Sequence, residues 1–326
     1  MTLRDLLEKL AAAAPAAIPV VGTVYAQVMA DIGTDQLKGL LSEIKGLTND
    51  RKATLNATNA ELMSIQDALR QLVSDQSRKD KIPVIIPVGG EGGSLFPVTQ
   101  VMPKCLVTIG CRSMLQHIID PFYRHADLFE RVTVLTGKYS DAIEENVKQG
   151  GYGDFVECKR LGGATLPAVM LNLRNSLPDK PFVIHYNDVL IENCDWPRIY
   201  NRYFEYKKRE KHIGMLLCSR FYPHPLGIGV IREGRANILE TFTEKPEQLV
   251  NGSLANVGIA MFEPELFEYI EASHRGLFED TIAHVIKAKR PLTLYRVDNW
   301  HHIQDLKALY QIQNFADLSF LERRQE

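Results

Sequence analysis

The sequence predicts an α/β domain with a mostly parallel sheet, preceded by an added α-helical domain. Three observations carry this reading. From Ile82 onward, short apolar, β-rich runs alternate with helical stretches. Before that point, leucines and isoleucines recur at helical spacing with no strand-like run. Between the two textures lies Ser74 to Lys81, polar and charged and without an apolar period. Such a stretch is a natural boundary, so the domains are read as residues 1–78 and 79–326. The length of 326 residues agrees with two domains, at about 150 residues for each.

Composition excludes several classes. With 45% hydrophobic and 24% charged residues, the chain is neither mainly disordered, nor collagen-like, nor a coiled-coil rod. Lys plus Arg is 38 and Asp plus Glu is 40, a formal net charge of -2. A near-neutral chain has no bulk electrostatic reason to coat nucleic acid. Five cysteines are scattered without C-x-x-C spacing. That argues against a disulfide framework or a zinc knuckle, and the expectation is a cytoplasmic protein.

In the first domain, Thr2 can cap a helix through Leu3, Leu6, Leu7 and Leu10. No charged residue then occurs between Lys9 and Asp31. This stretch is long enough to span a bilayer, but Pro15, Pro19 and Gly22 interrupt it. It is read as a buried segment of a helical bundle, with a membrane-active segment or a cleaved targeting signal as alternatives. Leu37, Leu41 and Ile44 open an a/d-like rhythm that resumes at Leu55 and runs through Leu62, Ile65, Leu69 and Leu72. Arg51 and Thr58 interrupt it. The seam outlasts what one short bundle needs, so the helices are expected to make a homo-oligomer as well as to pack on themselves.

In the second domain, Ile82–Val88 reads as a buried strand despite its two prolines, and Val132–Thr136, Phe182–His185 and Ile213–Cys218 read as further strands. Met114–Tyr123 and Asp141–Gln149 read as helices. Alternation of this kind predicts a mostly parallel, Rossmann-like sheet. Ligands in such sheets bind beyond the carboxyl ends of the strands. Beyond the first strand stand Gly89, Gly90, Gly92 and Gly93, followed by Ser94. A glycine loop after a strand lets backbone N–H groups approach phosphates. It is not a P-loop, because no G-K-[ST] follows, and Pro97 and Pro103 spoil a dinucleotide fingerprint. Alone, the string is equally a glycine-rich turn.

The longer string, Val88-Gly-Gly-Glu-Gly-Gly-Ser-Leu-Phe-Pro-Val-Thr99 with Met102-Pro-Lys104, resembles the first motif of the sugar-phosphate nucleotidyltransferase family, G-G-x-G-T-R-L-x-P-L-T then P-K. Four more segments follow in the family's order. Phe182–Val189 looks like the strand ending in G-D-V, Phe242-Thr-Glu-Lys-Pro246 like F-x-E-K-P, Ala255–Ile259 like N-A-G-I, and Val297–Ile303 like G-Y-W-x-D-I. The resemblance covers about residues 82–315 and leaves the N-terminal helices outside. It implies the nucleotidyltransferase fold. It also implies a reaction in which a sugar-1-phosphate oxygen attacks the α-phosphorus of a nucleoside triphosphate and pyrophosphate leaves.

The resemblance assigns roles by position. Gly89, Gly90, Gly92, Gly93 and Ser94 would hold the triphosphate. Lys104 would supply a point charge beside the reacting phosphates. Asp188 would hold Mg²⁺. Lys245 would grip the sugar phosphate, while Glu244 and Asn256, with Gly258 beside them, would meet sugar hydroxyls. Each motif alone has a plainer reading, a surface turn for Glu-Lys-Pro or a helix cap for Asn-Asp. Their joint order points to function.

Two departures fall on the nucleotide and metal side. The family's T-R pair is Gly93-Ser94 here, so an arginine that contacts the triphosphate is absent, with Arg112 or Lys138 as candidate replacements. The late aspartate is His302, which suits Mn²⁺ or another transition ion better than Mg²⁺; the plainer reading is that His302 is packed or hydrogen-bonded. Asn187 stands for the glycine before Asp188, and Asp298-Asn299 for the G-Y pair. Beside an active transferase these departures leave open a catalytically degenerate module that binds a nucleotide sugar. Its N-terminal helices would mediate assembly, or partner or membrane contact. A scaffold that keeps only the fold is the third reading.

Overall fold

The computed structural model describes residues 81–90, 95–221, 228–248 and 251–315. The expected helical domain of residues 1–78, with its seam and uncharged stretch, lies outside the described residues. So do Gly92, Gly93 and Ser94. Among the described residues, no helix is long and apolar enough to cross a membrane.

The elements in chain order are β1 (Ile82–Pro87), β2 (Thr108–Ile109), β3 (Arg112–Ser113), α1 (Met114–Arg124), β4 (Phe129–Thr136), α2 (Ser140–Gly150), β5 (Val156–Arg160), α3 (Leu166–Leu173), β6 (Phe182–His185) and β7 (Val189–Ile191). There follow α4 (Trp196–Glu210), β8 (Gly214–Ser219), β9 (Val230–Glu233), β10 (Leu239–Thr243), β11 (Leu254–Phe262), α5 (Ile282–Lys287), β12 (Leu292–Arg296), β13 (Trp300–His302) and α6 (Leu306–Phe315).

Helix starts follow local chemistry. Ser113 and Gln116 form a reciprocal capping box at α1. The Asp195 carboxylate accepts from the Arg198 backbone N–H to open α4. Lys207, Lys208 and Arg209 occupy the last turn of α4, where cations complement the helix dipole.

Among the described residues, one mixed sheet of nine strands organises the domain. β6, β1, β4 and β5 lie side by side and parallel. The nine-residue β11 is the hub of the other half. It runs antiparallel to β8 along one edge, and to β6 and then β9 along the other. β12 adds parallel to β8, and β10 antiparallel to β9.

Both faces of the sheet are covered, as a parallel sheet requires. Val84 and Ile86 of β1 join one core with Phe122, Trp196 and Tyr203. Ile85, between them, joins the other core with Ile184, Leu216 and Phe262. This is the period of two along a strand. The prolines of β1 fit because the ladder to β4 shifts register between Ile82 and Val84, so Pro83 has no donor role to fill. Pro87 ends the strand.

Candidate functional site

A cavity of about 300 Å³ opens beyond the carboxyl end of β6. Lys104, Asp188, Glu244, Lys245, Asn256, Gly258 and His302 all line it. Residues up to 198 positions apart in sequence therefore face one space. Gly89 and Gly90 sit at the end of β1, both exposed, and are not among its lining residues. Gly137, just past β4, lies against Gly89: a Cβ added there would stand 3.3 Å from the Gly89 Cα.

The part of the cavity around Asp188 is held by charge. Lys104, in a short 3₁₀ turn, donates from Nζ to Asp188 Oδ2 at 2.8 Å. His302 Nε2 lies 3.5 Å from the same oxygen. A two-stranded ribbon makes this second approach, because β13 pairs antiparallel with β7 and sets His302 opposite Val189. The Ile303 N–H donates to the Asp188 backbone oxygen at 2.8 Å. Burial by itself would push the Asp188 carboxyl up. The His302 contact and the Lys104 charge outweigh it, and hold the group well below the usual carboxylate range. Asp188 is therefore an anion at any working pH.

That donor set suits a divalent ion. A lasting carboxylate and an imidazole stand together, and phosphate oxygens would complete the shell. The imidazole tilts preference toward Mn²⁺. Asp305, near the late motif, is engaged elsewhere: its carboxylate accepts from the Ala308 N–H at 2.8 Å, opening α6. His301 lies on the ribbon with its Nε2 2.5 Å from Glu192 Oε1, and is not among the cavity's lining residues.

The part formed by β10 and β11 is held by backbone geometry. β11 shifts register between Asn256 and Ala260, and Gly258 sits in that bulge at φ +79°. Only glycine takes such a conformation without strain. The buried Asn256 accepts from the Gly258 N–H through Oδ1 at 3.3 Å, and its own N–H donates to the Gly229 oxygen at 2.8 Å. Lys245, two residues past β10, holds φ +43°. A non-glycine residue in that region marks a constrained, often functional, position.

Gly276, Phe278 and Glu279 line the cavity from a segment that belongs to no motif. Glu279 and Phe278 sit in a π-helical turn, Leu277–Thr281, and Gly276 precedes it. The Phe278 ring stacks on Phe242 at 6.2 Å and meets Tyr186 edge-on at 5.2 Å, giving the pocket an aromatic wall. Burial and the neighbouring Glu279 charge both push the Glu244 carboxyl up. No sequence pattern flagged this segment; a glycine followed by an acid three residues later is too common to be a signal.

Two further observations bear on the departures. Arg112 is not a substitute for the missing arginine. Its guanidinium pairs with Asp120, and Nη2 donates to the Tyr152 hydroxyl at 2.9 Å. Asn187, in the family's glycine position, donates from Nδ2 to the Pro87 oxygen at 2.5 Å. It ties the exit of β6 to the end of β1.

A family model described as nucleotidyl transferase matches residues 83–318. The chain belongs to the nucleotidyl transferase family. Among curated relatives, this family member is 27% identical over 224 residues to the UTP–glucose-1-phosphate uridylyltransferase of Bacillus subtilis (strain 168), covering 59% of this chain and 74% of that protein. It is 28% identical over 222 residues to mannose-1-phosphate guanyltransferase 2 of Candida glabrata, covering 66% and 58%. The chain thus spans little more than half the length of that guanyltransferase. A crystal structure of UDP-glucose pyrophosphorylase complexed with UDP-glucose superposes with a TM-score of 0.60 at 15% identity, over 72% of this chain and 97% of that one. The UDP-glucose pyrophosphorylase from Acinetobacter baumanii gives 0.58 at 14% identity, over 71% and 92%. At such identities the superpositions show the shared fold.

Proposed function

We propose that this chain catalyses nucleotidyl transfer, joining a nucleoside triphosphate and a sugar-1-phosphate into a nucleotide sugar and pyrophosphate. One observation carries the reading: Lys104, Asp188, Glu244, Lys245, Asn256 and His302 converge on a single cavity in a chain of this family.

A phosphate oxygen of the sugar-1-phosphate attacks the α-phosphorus. The bond from the α-phosphorus to its bridging oxygen breaks, and pyrophosphate leaves with the electron pair. The nucleophile is already anionic, so no general base is needed. The work is positioning and charge compensation. Lys245 binds the sugar phosphate, and Asn256 and Glu244 meet its hydroxyls. Lys104 shifts part of its hydrogen bonding from Asp188 to the incoming phosphate. Asp188 and His302 would hold Mg²⁺ or Mn²⁺, which when bound offsets phosphate charge. With Arg112 committed to Asp120, the exposed Lys138 is the remaining candidate cation for the role of the arginine absent at Ser94.

The test is pyrophosphate release from each nucleoside triphosphate with a panel of sugar-1-phosphates, in Mg²⁺ and then Mn²⁺. Release that requires both substrates supports the reading, and activity confined to Mn²⁺ supports His302 as a ligand. No release from folded protein contradicts it. That outcome favours the second reading, a binding module without turnover, to which the commitment of Arg112 to Asp120 already lends weight. In either reading residues 1–78 have the part of self-association. Light scattering of the full chain would show an oligomer if that is right and a monomer if it is wrong.

A further inference from the structure

Behind the π-helical turn that carries Phe278 and Glu279 lies a second cluster of ligating side chains. Glu271, His274 and His284 each present one ligand atom, and these atoms lie within 4.8 Å of one another. Glu271 stands between the two rings. His274 Nε2 is 4.0 Å from its Oε2, and His284 Nδ1 is 3.7 Å from its Oε1. We propose that these three residues form a site for Zn²⁺ or a similar transition ion, which braces the wall of the sugar cavity from outside.

Ligand atoms at about 2.0–2.1 Å around a tetrahedral ion lie roughly 3.4 Å apart. Closing the observed gaps takes rotations of exposed side chains, since Glu271 is 58% and His284 40% exposed. His274 is the anchored member. Its other nitrogen, Nδ1, lies 3.0 Å from the hydroxyl of the fully buried Thr281. Nδ1 also accepts from the Glu271 backbone N–H at 3.3 Å; with an ion on Nε2 it would instead donate to the Thr281 hydroxyl, as the second nitrogen of a ligating histidine ordinarily does. Two imidazoles and a carboxylate favour zinc-like ions over Mg²⁺, so this site and the Asp188 site differ in chemistry. Three protein ligands leave a coordination position open toward a groove of about 540 Å³.

The placement gives the ion a consequence. The ligands bracket residues 276–281, and Gly276, Phe278 and Glu279 of that span line the cavity. Joining His274 to His284 through an ion would fix both ends of the turn. Residues 1–80 contain neither histidine nor cysteine, so they supply no competing ligand of these types. The site stands whether or not the cavity turns over substrate.

The test uses the untagged full chain carrying Asp188→Asn, which weakens metal binding in the cavity. Zn²⁺ is titrated by calorimetry, and Co²⁺ is followed by its visible d–d bands. One equivalent should bind. Either surface variant, Glu271→Gln or His284→Ala, should weaken binding by at least ~100-fold, the upper end of what losing a supporting partner alone costs. Hydrogen exchange across residues 271–284 should slow with Zn²⁺ in the parent and not in the variants. Absence of stoichiometric binding, or binding unchanged by both variants, overturns the proposal.

Discussion

The two ends of the cavity are built by different means. Where β10 and β11 form it, the backbone decides the shape: a bulge in β11 with Gly258 at φ +79°, and Lys245 at φ +43° after β10. Around Asp188, charge decides: Lys104 and His302 both approach one of its oxygens, from a 3₁₀ turn and from a ribbon. The difference is between a fixed mould and a rearrangeable one. Backbone conformation does not relax when a ligand arrives. An ion pair can exchange one anion for another, and exchange is what a phosphate-transfer site requires. Of the residues that depart from the family, His302 lies at the rearrangeable end.

This comparison can be broken or sharpened by experiment. The largest effect belongs to Asp188. Asp188→Ala should lower kcat by about 10³-fold, the upper range for one preorganised electrostatic group, while calorimetry should still find sugar-phosphate binding. Loss of that binding as well would mean that the two ends are not separable. Asp188 also carries a stability signature. Its carboxyl is held low, so it stabilises the fold above the ordinary carboxylate range, and that contribution fades as pH falls through it. Asp188→Asn should flatten the acid limb of a denaturation series.

Next comes Ser94→Arg, which restores the family's cation. It should raise kcat by about 10²-fold if the site is otherwise intact. An unchanged rate would place the defect elsewhere. Lys245→Ala tests the opposite end: the KM for the sugar phosphate should rise about 10-fold or more, with the nucleotide KM nearly unmoved. Arg112→Ala separates structure from catalysis. It should leave kcat alone but cost about 3 kcal/mol in urea denaturation, because the buried Asp120 loses its cation and keeps only the Tyr152 hydroxyl.

The smallest expected effect is a pH shift. Burial and then Glu279 push the Glu244 carboxyl up. Glu279→Gln should move the acid limb of sugar-phosphate affinity to lower pH. The sign for stability is opposite to that of Asp188: a raised carboxyl favours the fold most when protonated, and that benefit is lost as pH rises through its folded value.

Much of this was legible in the chain. The runs at Phe182–His185 and Val132–Thr136 became strands because apolar β-branched and aromatic residues suit a sheet buried on both faces. The motif order brought Lys104, Asp188, Glu244, Lys245, Asn256, Gly258 and His302 to one cavity. What was not legible depended on partners distant in sequence. Nothing near Arg112 announces Asp120 and Tyr152 as its destinations, eight and forty residues away. Asn187 read as a lost glycine, whereas its amide reaches back one hundred residues to the Pro87 oxygen. Glu279 acquires meaning only because its turn packs against the F-x-E-K-P segment.

The most direct test of the central claim follows the label in an α-³²P nucleoside triphosphate, incubated with sugar-1-phosphate and either wild-type protein or Asp188→Ala. The account predicts label in a nucleotide sugar with the wild type and almost none with the variant. Label that stays in the triphosphate with folded wild-type protein across the substrate panel would contradict it, as would equal transfer by both proteins.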